Sequence, residues 1–161
     1  MKVLYLQNLL LIMKEQNIRE KAIDRLLACG VKPSVQRVEI MAYLMTHFTH
    51  PTVEEVYKAL CPKIKTLSRT TVYNTLRLFS ERNAALMITI DEHRVCYDGD
   101  THPHVHFYCK ECGRVLDFME EPAPILTQQR EIQGNLVDEM QLYYKGVCAE
   151  CMAAKKEQKV G

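Results

Sequence analysis

The 161-residue sequence has no tryptophan and no marked excess of either charge. It also lacks an apolar run of the roughly 18–20 residues that a membrane-spanning helix needs, which excludes a helical membrane protein. Val3 to Met13 is apolar, but only Lys2 precedes it and no small-residue cleavage site follows, so it does not read as a secretory signal. Lys and Arg number 21 against 20 Asp and Glu, a net charge of +1, so the chain is not basic overall. Internal repeats and low-complexity segments are missing. So are two zinc-enzyme signatures: the His-Glu-x2-His of zinc hydrolases, and the His-x-Glu with Pro-Cys-x2-Cys of zinc deaminases.

What is present is ordinary for a folded chain, with 47% apolar and 25% charged residues. The length fits one or two small domains. Met13 is an alternative start, which would make residues 1–12 an extension expected to be poorly ordered. Without an export signal, the seven Cys belong to a reducing, cytoplasmic compartment. Closely spaced Cys pairs there read as metal ligands rather than disulfides.

Charge is unevenly placed: residues 1–100 sum to +3 and residues 101–161 to −2. Val56 to Ser80 holds Lys58, Lys63, Lys65, Arg69 and Arg77 and no acid. Such a stretch attracts phosphate groups, although a solvated helix face has the same composition.

Helical periodicity dominates the first half. Ile18, Ala22, Ile23, Leu26 and Leu27 predict a helix stopped by Gly30. Pro33-Ser34 opens a second, with Val35, Val38, Met41, Met45 and Phe48 expected on one face. Thr52 and Glu55 form a capping-box pattern for a third, ended by Pro62. A fourth is expected from about Ser68 to Asn83. The period then changes: Leu86, Ile88 and Ile90 alternate with Met87 and Thr89, a turn falls at Asp91-Glu92-His93, and Val95 and Tyr97 continue, which predicts a β-hairpin. Helices followed by such a hairpin are the order of a winged helix-turn-helix.

Asp98 to Pro103 reads as a linker. Beyond it, strands are expected at His104–Cys109, Arg114–Met119 and Leu136–Tyr144, a helix from Pro122 to Gly134, and a short basic tail. The fold class is therefore α+β: an N-terminal winged helix-turn-helix domain followed by a small α/β domain. The expected boundaries are an N-terminal extension over 1–17, the winged helix over 18–98, a hinge over 99–103 and the small domain over 104–161. A domain that small usually needs a metal or a second copy for stability.

Stepped at about 100° per residue, the fourth helix places Val72, Thr75, Leu76 and Phe79 on one arc. Thr70, Tyr73, Asn74 and Arg77 occupy the other, with Arg69 at the border. Guanidinium, amide, hydroxyl and phenol without a carboxylate is the chemistry of a major-groove reader. An ordinary amphipathic helix is the alternative.

Cys109-x2-Cys112 and Cys148-x2-Cys151 can complete a tetrahedral shell of four thiolates, the preference of structural Zn2+. A redox Cys pair is the alternative. Cys29, Cys61 and Cys96 read as small buried residues. His102, His104 and His106 alternate, as residues sharing one face of a strand do. With Asp98 at the domain boundary, Asp117 on the next strand and His50 in the first domain, they form a thiolate-free donor set suited to Fe2+, Mn2+ or Zn2+. A site drawing on both domains would set the angle between them.

Five stretches carry a family resemblance: Gly-Val-Lys-Pro-Ser-Val-Gln-Arg (30–37), His-Pro-Thr (50–52), Ser-Arg-Thr-Thr-Val-Tyr-Asn-Thr-Leu (68–76), His104-x-His106-x2-Cys109-x2-Cys112-Gly113, and Gly146-Val-Cys148-x2-Cys151. In order and spacing, from about Arg19 to Met152, the sequence resembles the ferric uptake regulator family of bacterial metal-dependent repressors. The resemblance implies a homodimer paired through the C-terminal domains and binding double-stranded operator DNA. It implies structural zinc at Cys109, Cys112, Cys148 and Cys151, and a regulatory metal, Fe2+ or Mn2+, at His50, Asp98, His104, His106 and Asp117. It implies DNA contacts from Tyr73 and its neighbours, with Lys32 near the minor groove. Asp117 resembles the peroxide-sensing branch, where iron-responsive members more often carry Glu. In that branch, peroxide oxidises a histidine ligand of Fe2+, and the matching positions are His50 and His104. An iron- or zinc-responsive repressor without peroxide sensing is the alternative. Met140 stands where members often have His, so a further metal site is not expected, and His102 has no assigned role.

Overall fold

The computed structural model describes residues 2–91, 94–119, 130–137 and 140–160 of the chain. Contacts divide it into two units, Met1–Thr101 and His102–Gly161.

In the first unit, local chemistry sets the helix ends. Helix α1 (Lys2–Ala28) closes in a Schellman motif. Val31 N–H donates to the Leu26 carbonyl at 2.8 Å and Gly30 N–H to that of Leu27 at 3.0 Å. Gly30 takes φ +68°, a conformation that glycine adopts without a Cβ penalty. The helix runs back to Lys2, so residues 2–17, expected as an extension, continue it.

Helix α2 (Val35–Thr46) starts at Ser34, whose hydroxyl accepts from Arg37 N–H. Helix α3 (Val53–Leu60) carries the expected capping box between Thr52 and Glu55. Helix α4 (Arg69–Glu81) is capped by Ser68, which accepts from Thr71 N–H. It ends in a second Schellman motif, with Asn83 at φ +53° as the left-handed residue and Ala84 N–H donating to the Phe79 carbonyl.

The apolar faces of these helices meet in one core, where Leu26, Ile40, Met41, Leu44, Val56, Val72, Leu76 and Phe79 are almost fully buried. Each such side chain contributes about 1.5–3 kcal/mol relative to exposure. The face expected for α2 needs correction. Val35 is 74% and Phe48 67% exposed, while Ile40, Ala42 and Leu44 are buried. Helix α2 touches α1, α3 and α4, so its buried arc is wider than one stripe and lies away from its first turn.

The expected hairpin forms from β1 (Leu86–Asp91) and β2 (Arg94–Asp98), paired antiparallel with Met87 opposite Tyr97 and Ile88 opposite Cys96. The expected turn at Glu92-His93 lies outside the described residues. Helices α2, α3 and α4 leading to a hairpin complete the winged-helix order. Strand β2 is also tied to the loop before α3. Tyr97 N–H donates to the Pro51 carbonyl at 3.0 Å, and Thr52 bridges Cys96.

The second unit holds a three-stranded sheet in the order β4 (Val115–Phe118), β3 (Val105–Cys109), β7 (Tyr143–Gly146). Strands β3 and β4 are antiparallel and β3 and β7 parallel. A separate pair joins β5 (Arg130–Ile132) to β6 (Asn135–Val137). This corrects two expectations. The helix expected over Pro122–Gly134 lies largely outside the described residues, and its described end is a strand and turn. The single strand expected over Leu136–Tyr144 is divided between β6 and β7. The expected tail is helix α5 (Ala149–Val160), which starts inside the second Cys pair.

Candidate metal centres and nucleic-acid interface

In the second unit, the tight turn after β3 and the start of α5 bring four cysteines together. Gly113 N–H donates to the Cys109 carbonyl at 2.9 Å and folds the first Cys pair back on itself. All four Sγ atoms lie within 4.8 Å of one another. Cys109 and Cys151 are 3.9 Å apart at sulfur, as are Cys112 and Cys148. A disulfide would need about 2.05 Å. A tetrahedral shell with Zn–S near 2.3 Å has edges of about 3.8 Å, so the arrangement fits zinc. Cys109 and Cys148 are buried and Cys112 is exposed.

The surroundings favour thiolates. Cys109 is pushed down to about 6 by hydrogen bonds from backbone N–H groups, first that of Cys112 and then that of Cys148. Cys112 is lowered chiefly by Arg114. Arg114 Nε donates to Cys112 Sγ at 3.4 Å and Nη2 to Cys148 Sγ at 3.8 Å, while the same guanidinium pairs with Glu150. Cys151 is raised, mainly by its thiol contact with Cys148, as expected where clustered thiols share protons without a cation. The three remaining cysteines only partly match expectation: Cys96 is buried, but Cys29 and Cys61 are half-buried. Both of the latter sit at helix ends, where one side meets solvent.

The thiolate-free donors fall into two groups, one in each unit. In the second unit, His106 pairs with Asp117 across β3 and β4. His104 Nε2 lies 3.2 Å from Asp117 Oδ1 and His106 Nε2 lies 3.7 Å from the same oxygen. The two imidazoles meet edge-on, with centroids 4.4 Å apart. His104 Nδ1 lies 2.8 Å from the carbonyl oxygen of His102. A carbonyl can only accept, so Nδ1 carries the proton and the Nε2 lone pair faces the carboxylate. Two acceptors at that distance require a shared cation, whether a proton or a metal ion. His102 therefore enters through its backbone, a role that side-chain alternation does not reveal; its own ring is exposed.

In the first unit, His50 Nε2 lies 3.8 Å from Asp98 Oδ2, and both side chains are buried. Asp98 Oδ1 accepts from Asp100 N–H at 2.8 Å, which orients the carboxylate. The bridge between Pro51 and Tyr97 brings the two residues side by side. His50 holds φ +50°, a strained conformation for a residue before proline, at a cost of about 1–3 kcal/mol. Imidazole and carboxylate donors, as in each of these groups, suit Fe2+, Mn2+ or Zn2+.

On α4, Arg69, Thr70, Tyr73, Asn74 and Arg77 are all exposed, while Val72, Thr75, Leu76 and Phe79 are buried, as the periodicity predicts. Lys32 and Asn74 line one groove of about 390 Å³ between the start of α2 and α4, together with Ser34, Arg37 and Thr71. The acid-free flank is nevertheless not free of carboxylates in space. Glu81 lies 3.2 Å from Arg77, and Glu54 holds Arg69. Both acids stand just outside the acid-free stretch of sequence.

A sequence profile for the ferric uptake regulator family matches residues 28–144. The chain belongs to that family. As a family member it sits among metal-responsive transcription regulators rather than enzymes. It is 35% identical over 138 residues to the peroxide-responsive repressor PerR of Staphylococcus epidermidis, covering 82% of this chain and 89% of that protein. Against PerR of Staphylococcus aureus strain USA300 it is 34% identical, with 82% and 90% covered. Among solved structures, it resembles the ferric uptake regulator from Pseudomonas aeruginosa with manganese, at 26% identity, TM-score 0.60 and coverage of 80% of this chain and 98% of that one. The family match ends at Tyr144, before Cys148 and Cys151, so the four-thiolate assignment rests on the sulfur geometry itself.

Proposed function

We propose that this ferric uptake regulator family member is a homodimeric, metal-dependent repressor that binds duplex operator DNA through α4 and releases it on exposure to hydrogen peroxide. The observation that carries this reading is Asp117, an aspartate rather than a glutamate, set against His104 and His106, in a chain about 35% identical to named peroxide-responsive repressors.

Cys109, Cys112, Cys148 and Cys151 would hold zinc as a structural ion, since a closed four-sulfur shell leaves no open position for substrate. His50 and Asp98 from one unit and His104, His106 and Asp117 from the other would hold a single regulatory ion, Fe2+ or Mn2+. With ligands from both units, the posture of the reading head would depend on that ion. The Nδ1–H bond to the His102 carbonyl fixes the His104 ring and presents Nε2 as the donor. Fe2+ held there would activate hydrogen peroxide beside the imidazoles and be regenerated, whereas Mn2+ would not activate it. The net change is insertion of one oxygen atom into His50 or His104, with water as the other product. An oxidised imidazole is a poorer donor, and its loss would weaken the hold on the ion.

The test is mass spectrometry of Fe2+-loaded protein after brief peroxide exposure. One added oxygen on the peptide holding His50 or His104, together with release of operator DNA, supports the proposal. An unmodified protein that still releases DNA when iron is withdrawn favours iron sensing instead. The likeness to the manganese-bound ferric uptake regulator keeps that second reading in view.

A further inference from the structure

Arg69 is the first residue of α4, and its guanidinium is already held by α3. Nε donates to Glu54 Oε2 at 2.6 Å and Nη2 to Glu54 Oε1 at 3.1 Å. The guanidinium carbon stands 4.4 Å from the centroid of the Tyr57 ring. Lys58, one turn after Glu54, lies 3.6 Å from the same carboxylate. Arg69 and Glu54 both remain well exposed, so the pair is accessible to a large ligand.

These contacts use one edge of the guanidinium, the Nε–Nη2 edge. A guanidinium has five N–H donors in a fixed plane. The end-on pair, one hydrogen on Nη1 and the outer hydrogen on Nη2, is not engaged by any described residue. Two parallel donors at that spacing match the O6 and N7 acceptors of guanine in the major groove. The first turn of a recognition helix is the part that reaches base edges.

We propose that Glu54 and Tyr57 are positioning residues that make Arg69 a guanine reader, an inference that rests on the DNA-binding reading above. Charge decides between this role and a phosphate contact. An arginine meant to anchor a phosphate gains nothing from a carboxylate two hydrogen bonds away, because the carboxylate cancels its charge and repels the backbone. An arginine meant to read a base gains a fixed direction. Its rotamer freedom is given up before DNA arrives rather than on binding.

The full-length chain, loaded with Zn2+ and Mn2+, is used to select duplexes from a random pool. Affinities are then measured on the selected duplex and on its single-base variants. The wild type is expected to prefer guanine about tenfold at one position of each half-site. Arg69→Lys, which keeps the charge, should abolish that preference and leave the other positions unchanged. Glu54→Ala should weaken the preference several-fold while raising affinity for unrelated duplex, because a negative charge leaves the interface. Damage to the fold would lower both affinities, and thermal melting of each variant checks for it.

If Arg69→Ala weakens every sequence equally, Arg69 is a phosphate contact and the inference is overturned. It is also overturned if the guanine preference survives Arg69→Lys or is undiminished in Glu54→Ala. A wild type that enriches no sequence overturns the DNA-binding reading itself, and this inference with it.

Discussion

The carbonyl of His102 accepts a hydrogen bond from His104 Nδ1–H, which leaves the Nε2 lone pair facing the Asp117 carboxylate, 3.2 Å away. Two acceptors facing each other make this corner of the second unit a cation trap.

Replacing Asp117 tests the trap. Asp117→Ala should lower Mn2+ affinity at least tenfold by calorimetry and, with it, the Mn2+-activated binding of operator DNA. Asp117→Glu should retain the ion, and under the peroxide-sensing reading it should lose the one-oxygen adduct. An Asp117→Ala protein with unchanged Mn2+ affinity would exclude the carboxylate as a ligand.

Zinc removal should affect the second unit first. Among its described apolar residues only Val105, Cys109, Val115 and Cys148 are buried, too few to offset chain entropy. Elemental analysis should find one tightly held zinc per chain. Cys112→Ser or a strong chelator should abolish the cooperative unfolding of this unit, read by hydrogen exchange, while the amides of α1–α4 keep their protection. Full protection of β3 and β4 in zinc-free protein would refute this.

Gly99 lies between Asp98 and Asp100, and a Cβ placed there would come within 2.6 Å of the Leu44 carbonyl oxygen. Backbone cannot yield as a side-chain tip can. Gly99→Ala should therefore destabilise the first unit by about 1–3 kcal/mol in denaturant titration. It should also weaken Mn2+ binding by displacing Asp98. Loss of stability with unchanged Mn2+ affinity would show that Asp98 is not a ligand.

The Glu54–Arg69 pair should be visible in the pH dependence of stability. Arg69 hydrogen bonding holds the Glu54 carboxyl below the usual carboxylate range. A group whose folded pKa is depressed stabilises fully above its unfolded value, and the contribution is lost as pH falls through the folded value. The coupling from a Glu54→Gln and Arg69→Ala double-mutant cycle should be constant from neutral pH to about pH 5 and fade below the ordinary glutamate value near 4.3. It should also shrink with added salt, since the pair is exposed.

Helix α4 itself is tested by Arg77→Ala and Tyr73→Ala. Among the described residues Arg77 is tethered to Glu81 alone, its neighbour four residues on, and can swing to a phosphate. Its removal should weaken binding to all sequences and reduce the salt slope by about one. Tyr73→Ala should cost roughly tenfold on operator DNA with the dimer intact, as judged by light scattering. Unaltered affinity in both would remove α4 as the reader.

The features legible in the sequence are those whose cause is local. Ser34, Thr52 and Ser68 announce helix starts because a hydroxyl satisfies amides two or three residues away. The buried arc of α4 follows from 3.6-residue periodicity alone. The four cysteines could be grouped because two short chelating loops need only one shared ion. What escaped depends on partners distant in sequence or on backbone. Glu54 reaches Arg69 across 15 residues, the His102 contribution is a carbonyl, and Val35 and Phe48 are exposed at the first position of α2 and beyond its end. The β5–β6 pair escaped because Gln133-Gly134 makes a turn where proline upstream pointed to a helix.

Tyr97 grips the Pro51 carbonyl, so the wing and the segment carrying His50 are fastened to each other. Anything that tugs on that imidazole hauls the hairpin along with it, and a change in one ring can become leverage on everything the wing rests against.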